Sequence, residues 1–125
     1  MSNSVIIVDD AEFMRLMLKD IVLDMGLQVV GEAANGSEAI DLYRQLHPDL
    51  VIMDITMPDT DGITALRAML SEDQNALVIM IAALGQKDKV LESIQAGARD
   101  FLIKPFDQDR VQATIHETLQ RATVG

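Results

Sequence analysis

The strongest constraint on the fold is an alternation of short apolar runs with segments of helical periodicity. Apolar runs with the length of β-strands occur at residues 5–8, 27–30, 50–53, 77–81 and 101–103. Nearly unbroken Val, Ile, Leu and Met runs, such as 50–53 and 77–81, are typical of strands buried on both faces of a parallel sheet. The chain is therefore predicted to contain a sheet whose central strands lie inside the molecule.

The segments between these runs have helical spacing of their apolar residues. Phe13, Met17 and Ile21 recur at intervals of four, and Gly26 suits the end of that helix. Further helices are predicted at 37–46, 62–70, 87–95 and after Pro105 as far as about residue 121. Strands that alternate with helices form a doubly wound parallel sheet. We therefore predict a single α/β domain over residues 1–125, with five strands, five helices and no output domain.

Composition and charge exclude several classes of function. The chain has 49% hydrophobic and 24% charged residues, and its longest apolar segment, 76–84, is far shorter than the roughly 20 residues that span a bilayer. The absence of cysteine removes disulfides, thiol catalysis and cysteine-ligated metals. A net charge of −10 without a basic stripe argues against nucleic-acid binding. Because the N-terminus lacks the pattern of a secretion signal, we predict a cytoplasmic protein that binds neither nucleic acid nor membrane.

Charged residues follow three of the apolar runs. Asp9 and Asp10 come after the first run, Asp54 after the third, and Lys104 after the fifth. Because the carboxyl ends of parallel strands meet at one edge of a sheet, these side chains are expected to lie together. Three neighbouring carboxylates repel one another unless a cation neutralises them, and oxygen ligands without Cys or His favour Mg²⁺. Helix capping by one residue and solvation of the other is the alternative explanation of Asp9 and Asp10.

Acidic residues, Mg²⁺ and a lysine suit phosphoryl transfer, which requires positioning and neutralisation of charge. No segment matches the P-loop pattern GxxxxGK[ST]. A transferred phosphoryl group is therefore expected on a side chain, and an aspartate can be the nucleophile. Asp59 and Asp61, in the loop after Asp54, are predicted to be solvated.

Three segments and their spacing resemble the receiver domain of two-component response regulators: "IIVDDAEFMR", "LVIMDITMPDTDG" and "AGARDFLIKPF". The resemblance covers about residues 4 to 121. Within the family, "DDAEFMR", "MDITMP" and "ALGQ" are similar to stand-alone chemotaxis regulators of the CheY type. The resemblance implies a flavodoxin-like, five-stranded parallel sheet in the order 2-1-3-4-5.

The resemblance also implies roles for individual residues. Asp54 corresponds to the phosphoacceptor, and Asp10 and Asp54 would ligate Mg²⁺ directly, with Asp9 acting through water. The backbone carbonyl of Thr56 would complete the protein ligands. Lys104 would pair with carboxylate or phosphoryl oxygens, and its bond to Pro105 is typically cis in the family.

Two further positions correspond to the switch residues of the family. The fourth strand usually ends in Ser or Thr, whose hydroxyl bonds a phosphoryl oxygen, but here that position is Ala82. The second position, usually Tyr or Phe in the fifth strand, is Phe101, for which ordinary packing is the alternative role. We therefore expect phosphorylation of Asp54 to remain possible while its coupling to the Phe101 surface is weakened. Thr56 could offer a substitute hydroxyl, and solvation of its side chain is the simpler alternative.

The resemblance implies a phosphorylation-switched signalling module and not an enzyme beyond acceptance and slow loss of its own phosphoryl group. Its partners would be a histidine kinase or phosphotransfer protein, and a target that docks on the fourth helix, fifth strand and fifth helix. A monomer is expected, with a dimer through the fourth and fifth elements as the alternative.

Three other functions fit parts of the sequence. A receiver cut from a longer regulator would have the same motifs. A haloacid-dehalogenase-like phosphatase also uses a strand-end aspartate and Mg²⁺, but it requires a second aspartate where this chain has Thr56. A phosphate-independent interaction module with the receiver fold is favoured by Ala82 and is the main rival.

Overall fold

The computed structural model describes residues 3–124. Residues 1, 2 and 125, which complete the predicted domain, lie outside the described residues. The strands and helices alternate along the chain: β1 (Ser4–Val8), α1 (Glu12–Asp24), β2 (Gln28–Ala33), α2 (Gly36–Leu46), β3 (Leu50–Asp54), α3 (Gly62–Glu72), β4 (Val78–Ala82), α4 (Lys87–Ala96), β5 (Asp100–Ile103) and α5 (Gln108–Val124).

The strands form a parallel sheet in the order β2-β1-β3-β4-β5. This confirms the doubly wound α/β architecture and the strand order expected from the sequence. β3 and β4 are buried at every position, as expected for central strands covered on both faces. No helix of the described residues 3–124 is long and apolar enough to cross a membrane.

The edge strand β2 differs most from its predicted range, because it extends three residues further, to Ala33. Its residues alternate between exposed and partly buried, so that the apolar run at 27–30 covers only the first half of the strand. The exposed face carries Glu32, which pairs with Arg15 and Lys19 of α1. An edge strand exposes one side to solvent, and charged residues there discourage pairing with other chains.

Alternate side chains of the strands point to opposite faces of the sheet and build two cores. One core joins the sheet to α2, α3 and α4, and includes Ala39, Leu66 and Val90. The other joins it to α1 and α5, and includes Leu18 and Val111. The two cores cover both faces of the sheet, and the carboxyl ends of its parallel strands lie along one edge.

Phe13 departs from the face suggested by its spacing with Met17 and Ile21. Its side chain is 75% exposed, whereas Leu18, Ile21 and Val22 are the buried residues of α1. Phe13 lies in the first turn of α1 and belongs to neither of the two cores formed by the described residues. The periodicity predicted the helix correctly and the environment of Phe13 wrongly.

The ends of the helices match their sequence signals. α1 is followed by Gly26 at φ +80°, and α4 ends at Gly97 with φ +116°, in the left-handed region that glycine tolerates. Asp61 caps α3 by accepting a hydrogen bond from the Thr64 amide at 2.8 Å. Asp61 is exposed, as predicted for a solvated loop residue, and its carboxylate in addition satisfies an amide that the helix leaves unpaired.

Candidate functional site

Three carboxylates meet at the carboxyl edge of the sheet. Asp9 and Asp10 directly follow β1, and Asp54 is the last residue of the neighbouring β3. One carboxylate oxygen from each lies within 4.8 Å of the others. Asp9 is completely buried and Asp54 is 6% exposed, whereas Asp10 is exposed to solvent. The structure thus brings together the acidic residues that the sequence analysis had grouped.

The backbone around Asp9 is held by three hydrogen bonds. Its amide donates to the Ala33 carbonyl at 3.0 Å, and its carboxylate accepts from the Ala11 amide at 2.9 Å. Arg15 of α1 donates to the Asp9 carbonyl at 2.7 Å and also pairs with Glu32. The turn between β1 and α1 is therefore tied to both neighbouring elements.

The second carboxylate oxygen of Asp9 is unusual. This Oδ2 atom is buried and finds no hydrogen-bond partner anywhere in the described part of the chain. Burial, opposed by the Ala11 hydrogen bond and reinforced by the charge of Asp54, raises the pKa of Asp9 to about 6. An orphaned buried carboxylate oxygen is costly to maintain without a partner.

Lys104 places a positive charge beside two of the carboxylates. Its Nζ lies 2.9 Å from Asp54 Oδ2 and 3.7 Å from Asp9 Oδ2. Desolvation lowers the pKa of Lys104, but the hydrogen bond and charge of Asp54, with the charges of Asp9 and Asp10, outweigh it and leave the pKa raised. The Lys104 amide donates to the Ala82 carbonyl at 2.8 Å, and the Lys104–Pro105 peptide bond is cis, as the resemblance implied.

The donor set fits a hard divalent cation. One lysine against three carboxylates leaves negative charge uncompensated, and the orphaned Asp9 oxygen adds an acceptor that no protein donor satisfies within residues 3–124. Oxygen ligands without Cys or His are those that Mg²⁺ prefers. The capping alternative does not account for Asp9 or Asp10, because Ala11 is the N-cap residue of α1 and no side chain caps this helix within the described residues.

The loop after Asp54 is anchored by backbone hydrogen bonds. The Thr56 amide donates to Asp54 Oδ1 at 3.1 Å, and the Ile55 amide continues the sheet by donating to the Ile81 carbonyl at 2.9 Å. Gly62 donates to the Ile55 carbonyl at 2.8 Å, and a Cβ on Gly62 would collide with the Asp54 carbonyl. The carboxylate of Asp54 is thus held with one oxygen facing Lys104 and the other facing the Thr56 amide.

The two positions that correspond to the switch lie on neighbouring strands. Ala82 ends β4 and is completely buried, so a methyl group stands where the family usually has a hydroxyl. Phe101 is half-buried on β5 and contributes, with Leu84, Leu91 and Ile94, to an apolar groove of about 500 Å³ beside α4. The loop between β4 and α4, residues 83–86, lines the groove, and its Gln86 is hydrogen-bonded to Thr56, two residues after Asp54.

Two residues of this region escaped the sequence analysis. Gln86, just before α4, donates from Nε2 to the Thr56 hydroxyl at 2.8 Å, and Arg15 supports the carbonyl of Asp9. A polar residue before a helix is a common sequence feature with no preferred partner, so no local signal identifies the Gln86 contact. The spacing of Arg15 from Asp9 likewise does not predict a hydrogen bond to the Asp9 main-chain carbonyl.

Comparison with known proteins identifies the class. The family model of the response regulator receiver domain matches residues 5–116. The chain belongs to this family of two-component signalling domains. Receiver domains are signalling proteins that bind Mg²⁺ at an acidic pocket of this kind, and they interact with histidine kinases and downstream targets.

Within the receiver family, the chain is similar to chemotaxis proteins named CheY. The chain is 52% identical over 119 residues to the chemotaxis protein CheY of Bacillus subtilis, covering 95% of this chain and 99% of that protein. It is 50% identical over 117 residues to CheY of Thermotoga maritima, covering 94% and 98%. A crystal structure of the CheX–CheY–BeF3–Mg²⁺ complex from Borrelia burgdorferi superposes with a TM-score of 0.88 and 38% identity, covering 92% of this chain and 87% of that chain. The protein is therefore a homologue of CheY.

Proposed function

We propose that this protein is a chemotaxis-type receiver that accepts a phosphoryl group on Asp54. The observation that carries the proposal is the position of Asp54, at the carboxyl end of a buried strand, between Lys104 and the Thr56 amide. Both groups are hydrogen-bond donors aimed at the carboxylate that would react. A preorganised set of donors stabilises the charge that develops during phosphoryl transfer.

The proposed step transfers a phosphoryl group from phosphohistidine or from acetyl phosphate. A carboxylate oxygen of Asp54 attacks phosphorus, and a P–O bond forms as the P–N or P–O bond of the donor breaks. The electron pair of the broken bond stays with the leaving imidazole, which takes up a proton, or with acetate. Attack by water on phosphorus later returns free Asp54 and inorganic phosphate.

Asp10 and Asp54 would hold Mg²⁺ directly, with Asp9 acting through water and the Thr56 carbonyl as a further ligand. The bound cation would neutralise charge on the phosphoryl oxygens. Lys104 already contacts Asp54, and its ammonium group would pair with the phosphoryl oxygens. Asp9 sets the negative field that attracts the cation and stays out of the covalent step.

The proposed partners are a histidine kinase or phosphotransfer protein at the acidic site, and a target protein on the face of α4, β5 and α5. The second surface is supported by the apolar groove at Phe101, whose neighbours Leu91 and Ile94 are 57% and 40% exposed. We propose a monomeric, cytoplasmic protein with residues 1–125 as one receiver domain, and family membership supports this organisation.

Intact-mass measurement after incubation with acetyl phosphate and Mg²⁺ tests the proposal. The wild-type protein is expected to gain the mass of one phosphoryl group, and Asp54→Asn is expected to gain none. Asp59→Asn, which removes an exposed carboxylate nearby, is the matched control and should behave as wild type. An unchanged wild-type mass with every donor, or an adduct that persists in Asp54→Asn, contradicts the assignment.

A phosphate-independent interaction module is the second candidate, because Ala82 removes the hydroxyl that normally reads the phosphoryl group. In that case the groove beside α4 would bind its target equally well before and after treatment with acetyl phosphate. The mass measurement separates the two candidates, since the module requires no adduct.

A further inference from the structure

Gln86 joins two loops that border the acidic site. Its Oε1 accepts from the Ala83 amide at 2.8 Å, immediately after β4, and its Nε2 donates to the Thr56 hydroxyl at 2.8 Å, in the loop after β3. Both polar atoms of the side-chain amide are therefore engaged. The Gln86 side chain is fixed in orientation by the first bond and directed at Thr56 by the second.

The main chain of Gln86 belongs to the start of α4. Its amide donates to the Ala83 carbonyl at 3.2 Å, and its carbonyl accepts from the Val90 amide at 3.0 Å, closing the first helical turn. A displacement of the Gln86 side chain is therefore passed to the helix that forms one wall of the apolar groove. Val90 lies in that wall and in the core beneath it.

At its other end the link reaches the phosphoacceptor. The Thr56 amide donates to Asp54 Oδ1 at 3.1 Å, so a phosphoryl group on Asp54 changes the acceptor that Thr56 faces. The Thr56 hydroxyl accepts from Gln86, which leaves its own hydrogen free to donate to a new oxygen. Hydrogen bonds to a charged phosphoryl oxygen are stronger than those between neutral groups.

We propose that Gln86 is a positioning residue that couples Asp54 to α4 through Thr56, in place of the hydroxyl that Ala82 lacks. The inference rests on the proposed phosphorylation of Asp54. In this arrangement the signal crosses from the loop after β3 to the start of α4 by the Thr56–Gln86 hydrogen bond. Ala82, at the end of β4, then takes no direct part in the coupling.

Because the Thr56–Gln86 hydrogen bond lies near solvent, its loss is expected to weaken the coupling with little effect on folding stability. Thr56 is exposed and Gln86 is partly exposed, so water replaces the lost hydrogen bond when either side chain is truncated. Net hydrogen bonds of this kind contribute about 0.5–1.5 kcal/mol, and exposed ones lie at the lower end. Gln86→Ala is therefore expected to fold and to bind a phosphoryl analogue, whereas the occupancy of Thr56→Val is measured separately, because the Thr56 amide and carbonyl belong to the site.

Beryllofluoride with Mg²⁺ is the probe, because it mimics a phosphoryl group on a carboxylate without being consumed. Fluorine resonances report occupancy of the site, and amide chemical shifts of residues 87–103 report the response of α4 and β5. The variants are Thr56→Val, Gln86→Ala and the double variant. Gln108→Ala is the matched control, since the Gln108 side-chain amide donates to Asp24 Oδ2 at 3.0 Å, between α5 and α1.

At saturation with beryllofluoride, Gln86→Ala and Thr56→Val are each expected to reduce the amide shifts of residues 87–103 by roughly two- to threefold, as expected for loss of one hydrogen bond. The double variant is expected to lose no more than either single variant, because both remove the same link. Gln108→Ala should respond as wild type. Adding Ala82→Ser to Gln86→Ala should restore the shifts, since it supplies the missing hydroxyl.

Undiminished shifts in Gln86→Ala with the site saturated overturn the inference and leave the proposed function standing. Additive losses in the double variant also overturn it, because the two residues would then act independently. Failure of the wild-type protein to bind beryllofluoride or to form a mass adduct contradicts the proposed function, and the inference with it.

Discussion

Adjacent residues at the site have opposite environments. Asp9 is fully buried and its Oδ2 atom accepts no hydrogen bond in the described structure, whereas Asp10 is exposed. A carboxylate held in this way destabilises the folded protein until a cation or a proton neutralises it. Without a neutralising cation, the site therefore lowers the stability of the folded protein.

The raised pKa of Asp9 predicts a specific pH dependence of stability. Because its pKa is about 6 in the folded protein and 3.8 in the unfolded chain, the folded state holds the proton more tightly. The contribution of Asp9 to the free energy of unfolding therefore falls as pH rises from about 4 to about 6, and is lowest above that range. By neutral pH the loss is on the order of 1–3 kcal/mol.

Asp9→Asn is expected to remove this pH-dependent fall in the free energy of unfolding. Urea unfolding without divalent cations, at about pH 4.5 and about pH 7.5, should show the variant gaining stability over wild type as pH rises. Asp20→Asn, which neutralises an exposed carboxylate of α1, is the control and should follow wild type. Parallel pH profiles for wild type and Asp9→Asn would show that the Asp9 carboxylate carries no such cost.

At the scale of single elements, the alternation of apolar runs predicted all five strands and all five helices. Burial on both faces makes central strands such as β3 and β4 uniformly apolar, so that their signal is local and strong. β2 was placed less well because its exposed face alternates with its buried face, which shortens the apolar run.

The start of α3 depends on Asp61. Asp61→Ala removes the hydrogen bond to the Thr64 amide and is expected to lower the free energy of unfolding by about 1 kcal/mol. Asp59→Asn, in the same loop, removes an equal charge from a residue at φ +64°, a conformation that Asn tolerates. Its effect is expected to stay within about 0.5 kcal/mol. If urea unfolding showed that Asp61→Ala and Asp59→Asn lower the free energy of unfolding equally, the lost charge and not the lost cap would explain the effect.

Gly62 sets the distance between α3 and the end of β3. A methyl group there would collide with the Asp54 carbonyl and lie 2.9 Å from Ile55 Cα, and backbone atoms cannot rotate away. Gly62→Ala is therefore expected to destabilise the protein by about 2–3 kcal/mol.

Gly26→Ala is the control for the Gly62 experiment. The space around Gly26 is open, but its φ of +80° adds strain of about 1 kcal/mol for a residue with a side chain. Thermal and urea unfolding of the two variants measure the difference. A loss at Gly62 no larger than that at Gly26 would mean that α3 shifts freely to admit the methyl group.

At the scale of the whole molecule, a net charge of −10 makes stability sensitive to both salt and Mg²⁺. Monovalent salt screens general repulsion, whereas the proposed binding of Mg²⁺ at the acidic cluster would add a specific stabilisation. At ten times its dissociation constant, Mg²⁺ should stabilise the folded protein by about 1.4 kcal/mol beyond KCl of equal ionic strength. For a domain of this size, the unfolding temperature should rise by roughly 3–6 °C.

Asp10→Asn is expected to lose the Mg²⁺-specific rise while keeping the response to KCl, because Asp10 is exposed and its removal leaves the core intact. Asp20→Asn should retain both responses. Scanning calorimetry in matched ionic strengths measures them. Equal effects of MgCl₂ and KCl on the wild-type protein would show that the cluster acts through general charge alone.

The sequence by itself determined the architecture and the membership of the site. Alternating apolar and amphipathic segments dictate a parallel sheet, and strands of one direction bring Asp9, Asp54 and Lys104 to the same edge, whatever the details of packing. The tertiary structure alone decided that Asp9 is buried and Asp10 exposed, that Phe13 faces solvent, and that Gln86 reaches Thr56. These outcomes depend on loop paths and on contacts between residues far apart in the chain, which no local pattern specifies.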